Sequence, residues 1–323
     1  MIRTIIPGVV ASLALALSAC GASEAESTEK GADERTVTIE HAMGSTTIVG
    51  EPQRIVALDS SLADATLMLD KELVGIATYR GYSTDLPDYL GDDRENGAEV
   101  ISVGDIAAPS LEKIAALKPD LILSIKVRHE ALYDQLSKIA PTVMPETSAH
   151  LFKDNLRLLG EAVGMEDKAE EEISEFEEAA EQVGGAINEK AGNPTISVTR
   201  FLDGPTRLYQ KLTYAGVILD DAGLARPKSQ DVDDFALEIS EENIKAADAD
   251  KIFVTTYEDD EGLAAKTKAA FERNPLWGGI APKVTEVSDT TWMTAVSLQG
   301  AWYVLADLAE AFGVDAPEGH DEH

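Results

Sequence analysis

The chain has 323 residues, of which 59 are acidic and 27 basic, for a formal charge of −32 at neutral pH. Such acidity argues against a nucleic-acid partner, whose phosphates would be repelled, and it keeps a folded domain off an anionic lipid surface. The single cysteine, Cys20, rules out an internal disulfide.

Arg3 is the only charge in the first 23 residues, and an apolar run from about Ile5 to Leu17 follows it. A short positive segment, an apolar core and a small-residue site make a secretion signal. The run is too short to span a bilayer, which needs about 20 apolar residues. It ends in Leu17-Ser18-Ala19-Cys20, with Gly21 next, which matches the bacterial lipobox. The sequence therefore predicts cleavage before Cys20, a thioether lipid and palmitate on that cysteine, and residence on the outer face of the cell membrane. Residues 21–34 are rich in Ser, Ala, Gly and Glu and read as a flexible tether.

From Thr36 the pattern is globular. Thr36–Ile39 and Thr46–Val49 flank Met43-Gly44 and predict a hairpin. Strands are predicted over Arg54–Leu58, Leu73–Thr78, Leu121–Ile125, Thr195–Phe201, Lys251–Thr256 and Val284–Val287. Helices are predicted over Leu62–Leu69, Leu111–Leu117, Ala131–Ile139, Leu156–Val163, Glu241–Ala246 and Leu298–Phe312. This alternation implies α/β layers with largely parallel sheets. Between them Met165–Lys190 is dominated by Glu and Ala, with Ala169, Ile173, Phe176, Ala180 and Val183 at helical spacing. One apolar stripe with an acidic back suits a surface helix that also serves as a rigid strut. The chain thus divides into a signal peptide (1–19), a tether (20–35), a first lobe (36–163), a connecting helix (164–193) and a second lobe with an acidic tail (194–323).

An internal echo supports two lobes of one design. Ser110, Glu112, Ile114, Ala116, Asp120 and Ile122 recur as Ser240, Glu242, Ile244, Ala246, Asp250 and Ile252, at a constant offset (240 − 110 = 130). Each copy reads as a short helix capped by its serine, a tight turn and a buried strand.

In so acidic a chain, a basic cluster is informative. Lys126 and Arg128 follow one predicted strand, Arg80 follows another, and Arg200 closes a third. Ligands of open α/β sheets sit beyond the carboxyl ends of strands. A hairpin turning at Asp203-Gly204 would set Arg200 opposite Arg207, with Tyr209 on the same face. Opposed like charges cost stability, and an anionic ligand between them, or an acid such as Asp203, would remove that cost. Tyr79, Tyr82, Tyr209, Tyr257 and Trp292 lie near strand ends or loops and offer stacking surfaces for a flat chelate. Trp292, in a polar stretch, reads as the least core-like of them. The predicted ligand set is Arg80, Lys126, Arg128, Arg200, Arg207, Tyr209 and Trp292. Loss of Arg200 or Arg207 is expected to weaken binding with the fold intact.

The chain resembles the siderophore-binding branch of ABC-importer solute-binding proteins, in its actinobacterial form, from about Thr36 to Phe312. The segments carrying the resemblance are Pro52–Leu58, Leu73–Ile76, Ser110–Ile114, Leu117–Leu123, Ile139–Thr142, Arg200-Phe201 and Arg207–Gln210. The resemblance implies two Rossmann-like lobes joined by a long connecting helix, a ferric siderophore in the cleft between them, little closure on binding, and no catalysis. It also implies that one acidic residue per lobe docks on the permease of an importer with its ATPase. Glu112 and Glu242 are the matching pair. No resident cofactor is expected, and the protein is expected to be a monomer.

Three other readings compete. An enzyme would show a nucleophile elbow, a phosphate-cradling loop or a cysteine nucleophile in the fold, and none is present in the sequence. A metal-ion receptor would bring several ligating side chains together, but His41, His129, His150, His320 and His323 form no spaced pair inside the fold. A haem receptor of the same fold needs a single axial ligand, which His129 or Tyr257 would supply.

Overall fold

The computed structural model describes residues 35–78 and 86–317. Cys20, Tyr79, Arg80, Tyr82, His320 and His323 lie outside the described residues. A hairpin of β1 (Thr36–His41) and β2 (Gly44–Val49) opens this part of the chain, with Ile39 and Ile48 turned into the core.

The first lobe is built on a six-stranded sheet. In chain order its strands are β3 (Ile55–Ala57), β4 (Leu73–Thr78), β5 (Ile101–Asp105), β6 (Ala108–Pro109), β7 (Leu121–Leu123) and β8 (Thr142–Val143). They lie in the order β6-β5-β4-β3-β7-β8, and every pairing is parallel except that of the short edge strand β6. Helices α1 (Ser60–Met68), α2 (Leu111–Leu117), α3 (Lys126–His129), α4 (Tyr133–Leu136) and α5 (Phe152–Val163) accompany it. The single helix predicted over Ala131–Ile139 is instead a 3-10 turn, Glu130–Leu132, followed by α4.

Helix α6 (Glu166–Ala191) connects the lobes; its 26 residues span about 39 Å. The five apolar positions read from its spacing are all buried, and Gly184 and Ile187 extend the stripe. Gly192, in the left-handed region at φ 75°, ends the helix.

The second sheet contains β9 (Ile196–Phe201), β10 (Thr206–Tyr209), β11 (Ala236–Ile239), β12 (Lys251–Thr256) and β13 (Val284–Glu286), in the order β11-β10-β9-β12-β13. Strands β9, β12 and β13 run parallel, while β10 and β11 are added antiparallel. Helices α7 (Tyr214–Asp221), α8 (Leu263–Arg273) and α9 (Leu298–Phe312) complete the lobe. Sequence pattern did not reveal α7, because Gly216, Val217 and Ile218 are poor helix formers. The Thr213 cap and burial of Tyr214, Ala215, Ile218 and Leu219 override that preference.

The 130-residue echo has a structural counterpart. Asp120 accepts the backbone N–H groups of Gln53 and Arg54 at the start of β3. Asp250 accepts the N–H and hydroxyl of Thr195 just before β9. Each aspartate thus pins the strand that runs parallel to the one it precedes. The helices differ. Ser110 caps α2 through the N–H of Lys113, whereas Ser240 makes no cap and the segment Glu241–Ala247 is 3-10.

Helix α9 packs on α6 and α7 and also touches α1 in the first lobe. One contiguous core therefore runs through both lobes, from Ile55 and Leu121 through Phe176 to Ile196 and Leu305. A shared core of this kind couples the lobes stiffly, because close-packed interiors resist shear.

Candidate ligand-binding cleft

The carboxyl ends of β3 and β7 in one lobe and of β9 in the other open onto a cavity of about 190 Å³. Asp59, Ser60, Arg128 and Ser148 face it from the first lobe, and Arg200, Arg207, Tyr209 and Phe235 from the second. Of the predicted ligand set, Arg128, Arg200, Arg207, Tyr209 and Trp292 come together in this one wall. Lys126 is absent from it: at the start of α3, its ammonium donates to Glu146 at 2.9 Å, which raises its pKa.

Arg200 and Arg207 are Cα partners across the β9–β10 hairpin. Their charges are met by acids other than Asp203. The Arg200 guanidinium donates through Nε and Nη2 to both oxygens of Asp289, at 2.7 and 2.6 Å, in the bidentate geometry that favours Arg–carboxylate pairs. Its Nη1 reaches the Tyr209 hydroxyl at 3.3 Å, and its carbon lies 5.6 Å from the Tyr257 ring centre. Burial works against this charge, but Tyr209 and Asp289 outweigh it and hold the guanidinium protonated. Arg207 meets Glu238 at 3.2 Å in a pair that remains partly open to solvent. In the first lobe, Arg128 donates through Nε to Asp59 at 2.9 Å.

Asp59 and Asp289 escaped a reading that looked only for cations. Both positions carry a signal: Asp59 directly follows the Ile55–Leu58 run, where a helix cap belongs, and Asp289 opens the polar stretch before Trp292. Phe235, 44% exposed and edge-on to Tyr209 at 5.5 Å, is an aromatic wall that no spacing marked. Trp292 is the opposite case. It is 0% exposed, stacked on Phe253 at 4.7 Å, with its indole N–H donating to Asp307 at 2.6 Å. The polar residues around it belong to a single π-helical turn, Thr290–Thr294, which carries the ring inward. Trp292 therefore backs the cleft from the core, contrary to its sequence context. Tyr257 is 6% exposed and sits beneath Arg200 as a support.

The connection from the π-helical turn to α9 is strained. Val296, a β-branched residue lining the cleft, has φ 49°. Conformations of this kind persist only where their surroundings impose them. Here the carbonyl of Thr294 accepts from Ser60 at 3.2 Å and that of Ser297 from Tyr214 at 2.8 Å, tying the segment to α1 and α7.

Both ring nitrogens of His129 are committed. Nε2 donates to the Ile106 carbonyl at 2.6 Å, so Nδ1 is the acceptor for the Ser124 hydroxyl at 2.7 Å. Burial lowers its pKa, which favours this neutral ring. No lone pair is left for an axial bond. Among the described residues, no group of three or more His, Cys, Asp or Glu side chains is placed to hold a metal ion. A larger hollow of about 990 Å³ lies between α6, α9 and residues 313–317. Its wall carries Glu175, Glu178 and Glu189 and is far less suited to an anionic chelate than the arginine cleft.

Two α/β lobes joined by one long helix, with a ligand cleft at the strand ends, define a bilobal solute receptor. The chain belongs to the Periplasmic binding protein family, whose model matches residues 55–282. It is 37% identical to the "Probable siderophore-binding lipoprotein YfiY" of Bacillus subtilis, over 92% of this chain and 94% of that one. It is 28% identical to the Fe(3+) dicitrate-binding periplasmic protein FecB of Escherichia coli, over 85% of this chain and 90% of that protein. Among solved structures, SirA of Staphylococcus aureus complexed with staphyloferrin B superposes with a TM-score of 0.78 at 32% identity, covering 87% of this chain and all of that one.

Proposed function

We propose that this protein captures a ferric siderophore in the interlobe cleft and delivers it to an ABC-type importer. One observation carries the reading: each lobe contributes a carboxylate-held arginine, Arg128 and Arg200, to the same cavity. Guanidinium donors from two sides suit a chelate whose outer surface is carboxylate, catecholate or hydroxamate oxygen. Arg207, Tyr209 and the aromatic wall of Phe235 complete the binding surface, and Trp292 supports it from behind. Arg80 is proposed as a further ligand contact. The names of the relatives and of the SirA complex support this ligand class.

The protein is a carrier and not an enzyme, works as a monomer and needs no resident cofactor. Cys20 bears the lipid, including palmitate, that holds it on the outer face of the cell membrane after the signal peptide is removed. Glu112 and Glu242 meet the permease, which works with its ATPase. Titration of intrinsic fluorescence against a panel of ferric chelates tests the ligand reading, and saturable quenching by at least one at micromolar concentration or below supports it. Failure of every ferric chelate, with a Soret shift on haem titration, would move the assignment to haem. The commitment of both His129 nitrogens runs against that second outcome. For the anchor, Cys20→Ala protein should leave the membrane fraction for the medium, and its retention there would refute Cys20 as the attachment point.

A further inference from the structure

The cleft holds its acids as carefully as its bases. Asp59 is 2% exposed and follows β3 as the cap of α1; one oxygen accepts the N–H and hydroxyl of Ser61, and the other accepts Nε of Arg128. Asp289, with a side chain 9% exposed, binds two nitrogens of Arg200. In each lobe a carboxylate from beyond a strand end accepts from Nε of an arginine that lines the cavity; Arg128 is held through Nε alone, whereas Arg200 also gives Nη2 to its carboxylate and Nη1 to the Tyr209 hydroxyl. Neither arginine can swing away to a ligand without leaving a buried carboxylate unpaired, which is costly. Each pair therefore presents N–H donors while contributing almost no net charge. The Arg207–Glu238 pair differs. Its side chains are 35% and 54% exposed, so water screens the pairing and the arginine is free to exchange its acid for a ligand.

We propose that Asp59 and Asp289 are specificity-determining residues that limit the negative charge of the ferric chelate the cleft accepts. The proposal rests on the siderophore reading. Without these carboxylates, Arg128, Arg200 and Arg207 would offer three positive charges to one small cavity and would favour a highly charged anion. With them, the cleft recognises an oxygen-rich surface by hydrogen bonding and reserves net attraction for about one charge. Each acid acts through the arginine it holds, so it sets selectivity and does not itself form the contact.

Full-length wild type, Asp59→Asn and Asp289→Asn are titrated with three probes: a neutral ferric tris-hydroxamate, ferric citrate and a trianionic ferric tris-catecholate. Asn keeps the size of the side chain and removes its charge. The affinity ratio of the tris-catecholate to the least charged chelate bound should rise in each variant by tenfold or more, since one unit charge even about 12 Å away at an effective dielectric near 20 is worth a factor of ten. Asp289→Glu, which keeps the charge, should bring the ratio back toward wild type. An equal loss for all chelates would show that the acids only position the arginines and would overturn the proposal, as would an unchanged ratio. Wild type supplies a test that needs no variant to fold. For any anionic chelate it binds, log Kd against log salt should have the slope of about one cation, and a slope of three would refute charge limitation. If wild type binds no ferric chelate at all, it is the siderophore reading that fails.

Discussion

Arg200 and Arg207 face each other across the β9–β10 hairpin, yet each is answered by a different acid, Asp289 for the first and Glu238 for the second. The difference in burial separates their roles. Arg200→Ala would leave Asp289 buried without its partner, a change that costs several kcal/mol. The sequence-based expectation that either arginine can be removed with the fold intact is therefore predicted to fail for Arg200 and to hold for Arg207. Arg207→Ala should leave the melting temperature nearly unchanged, since exposed pairs contribute roughly 0–1 kcal/mol. It should weaken siderophore binding on the order of tenfold or more, from the loss of a charge-assisted bond of about 1.5–3 kcal/mol. Paired melting curves and titrations of Arg207→Ala and Arg200→Ala check both statements. Undiminished affinity in Arg207→Ala would remove it from the site.

Asp64 of α1 links stability to pH. Burial, with repulsion from Asp59 and Asp93, pushes its pKa up to about 7 from 3.8, against the bonds from Tyr89 and Ser297. Between about pH 4 and pH 7 the unfolded chain has lost this proton and the folded chain keeps it. The folded state therefore binds more protons, and this group's contribution to stability falls as pH rises through that window, then levels off. Asp64→Asn retains an acceptor for the Tyr89 hydroxyl, which bonds Asp64 at 2.7 Å. It should match wild type near pH 4 and be more stable at pH 8, by on the order of a few kcal/mol. Denaturant midpoints measured across that range decide it, and parallel pH profiles for the two proteins would contradict the assignment.

The connecting helix supplies a packing test. A Cβ on Gly184 would stand 1.7 Å from the Ala222 carbonyl oxygen, whereas one on Gly185 would meet nothing within 4 Å. Gly184→Ala should force α6 and α7 apart and cost about 1–3 kcal/mol or more. Gly185→Ala, at an exposed helical position, should gain up to about 1 kcal/mol. Thermal melts of the two variants should shift in opposite directions. A neutral Gly184→Ala would mean that the two helices do not approach so closely.

Where one physical rule governs an element, its sequence exposes it. The α6 stripe, the parallel strands and the Arg200–Arg207 register all follow from periodicity or turn placement, and each is visible before any coordinate. What stayed hidden depends on partners distant in sequence. Asp289 reaches Arg200 across 89 positions and Asp59 reaches Arg128 across 69, so neither counterion could be assigned from local pattern. Trp292 misled because a π-helical turn directs its ring inward while its neighbours stay polar. Helix α7 stayed hidden because tertiary burial outweighs its weak intrinsic propensity.

The two lobes pin their strands alike, Asp120 holding β3 and Asp250 holding the start of β9, and this equivalence extends to the acids proposed to meet the permease. Glu112 lies in the first turn of α2 and Glu242 in the first turn of the matching 3-10 segment, both exposed. A helix dipole favours an acid in that position by about 0.3–1 kcal/mol, so local stability alone would account for either one. A docking role makes a different demand: the two acids must matter together, one per lobe, as suits a two-fold transporter presenting the same surface twice. Glu112→Lys combined with Glu242→Lys should abolish uptake of a radiolabelled ferric siderophore by cells while leaving the affinity in solution near wild type. Glu241 adjoins Glu242 and is included in a second, triple variant, so that a neighbouring carboxylate does not substitute for the one removed. Surface expression measured by immunoblot separates lost docking from lost protein. Normal uptake by the triple variant at wild-type abundance would mean that the correspondence of the two lobes is architectural only.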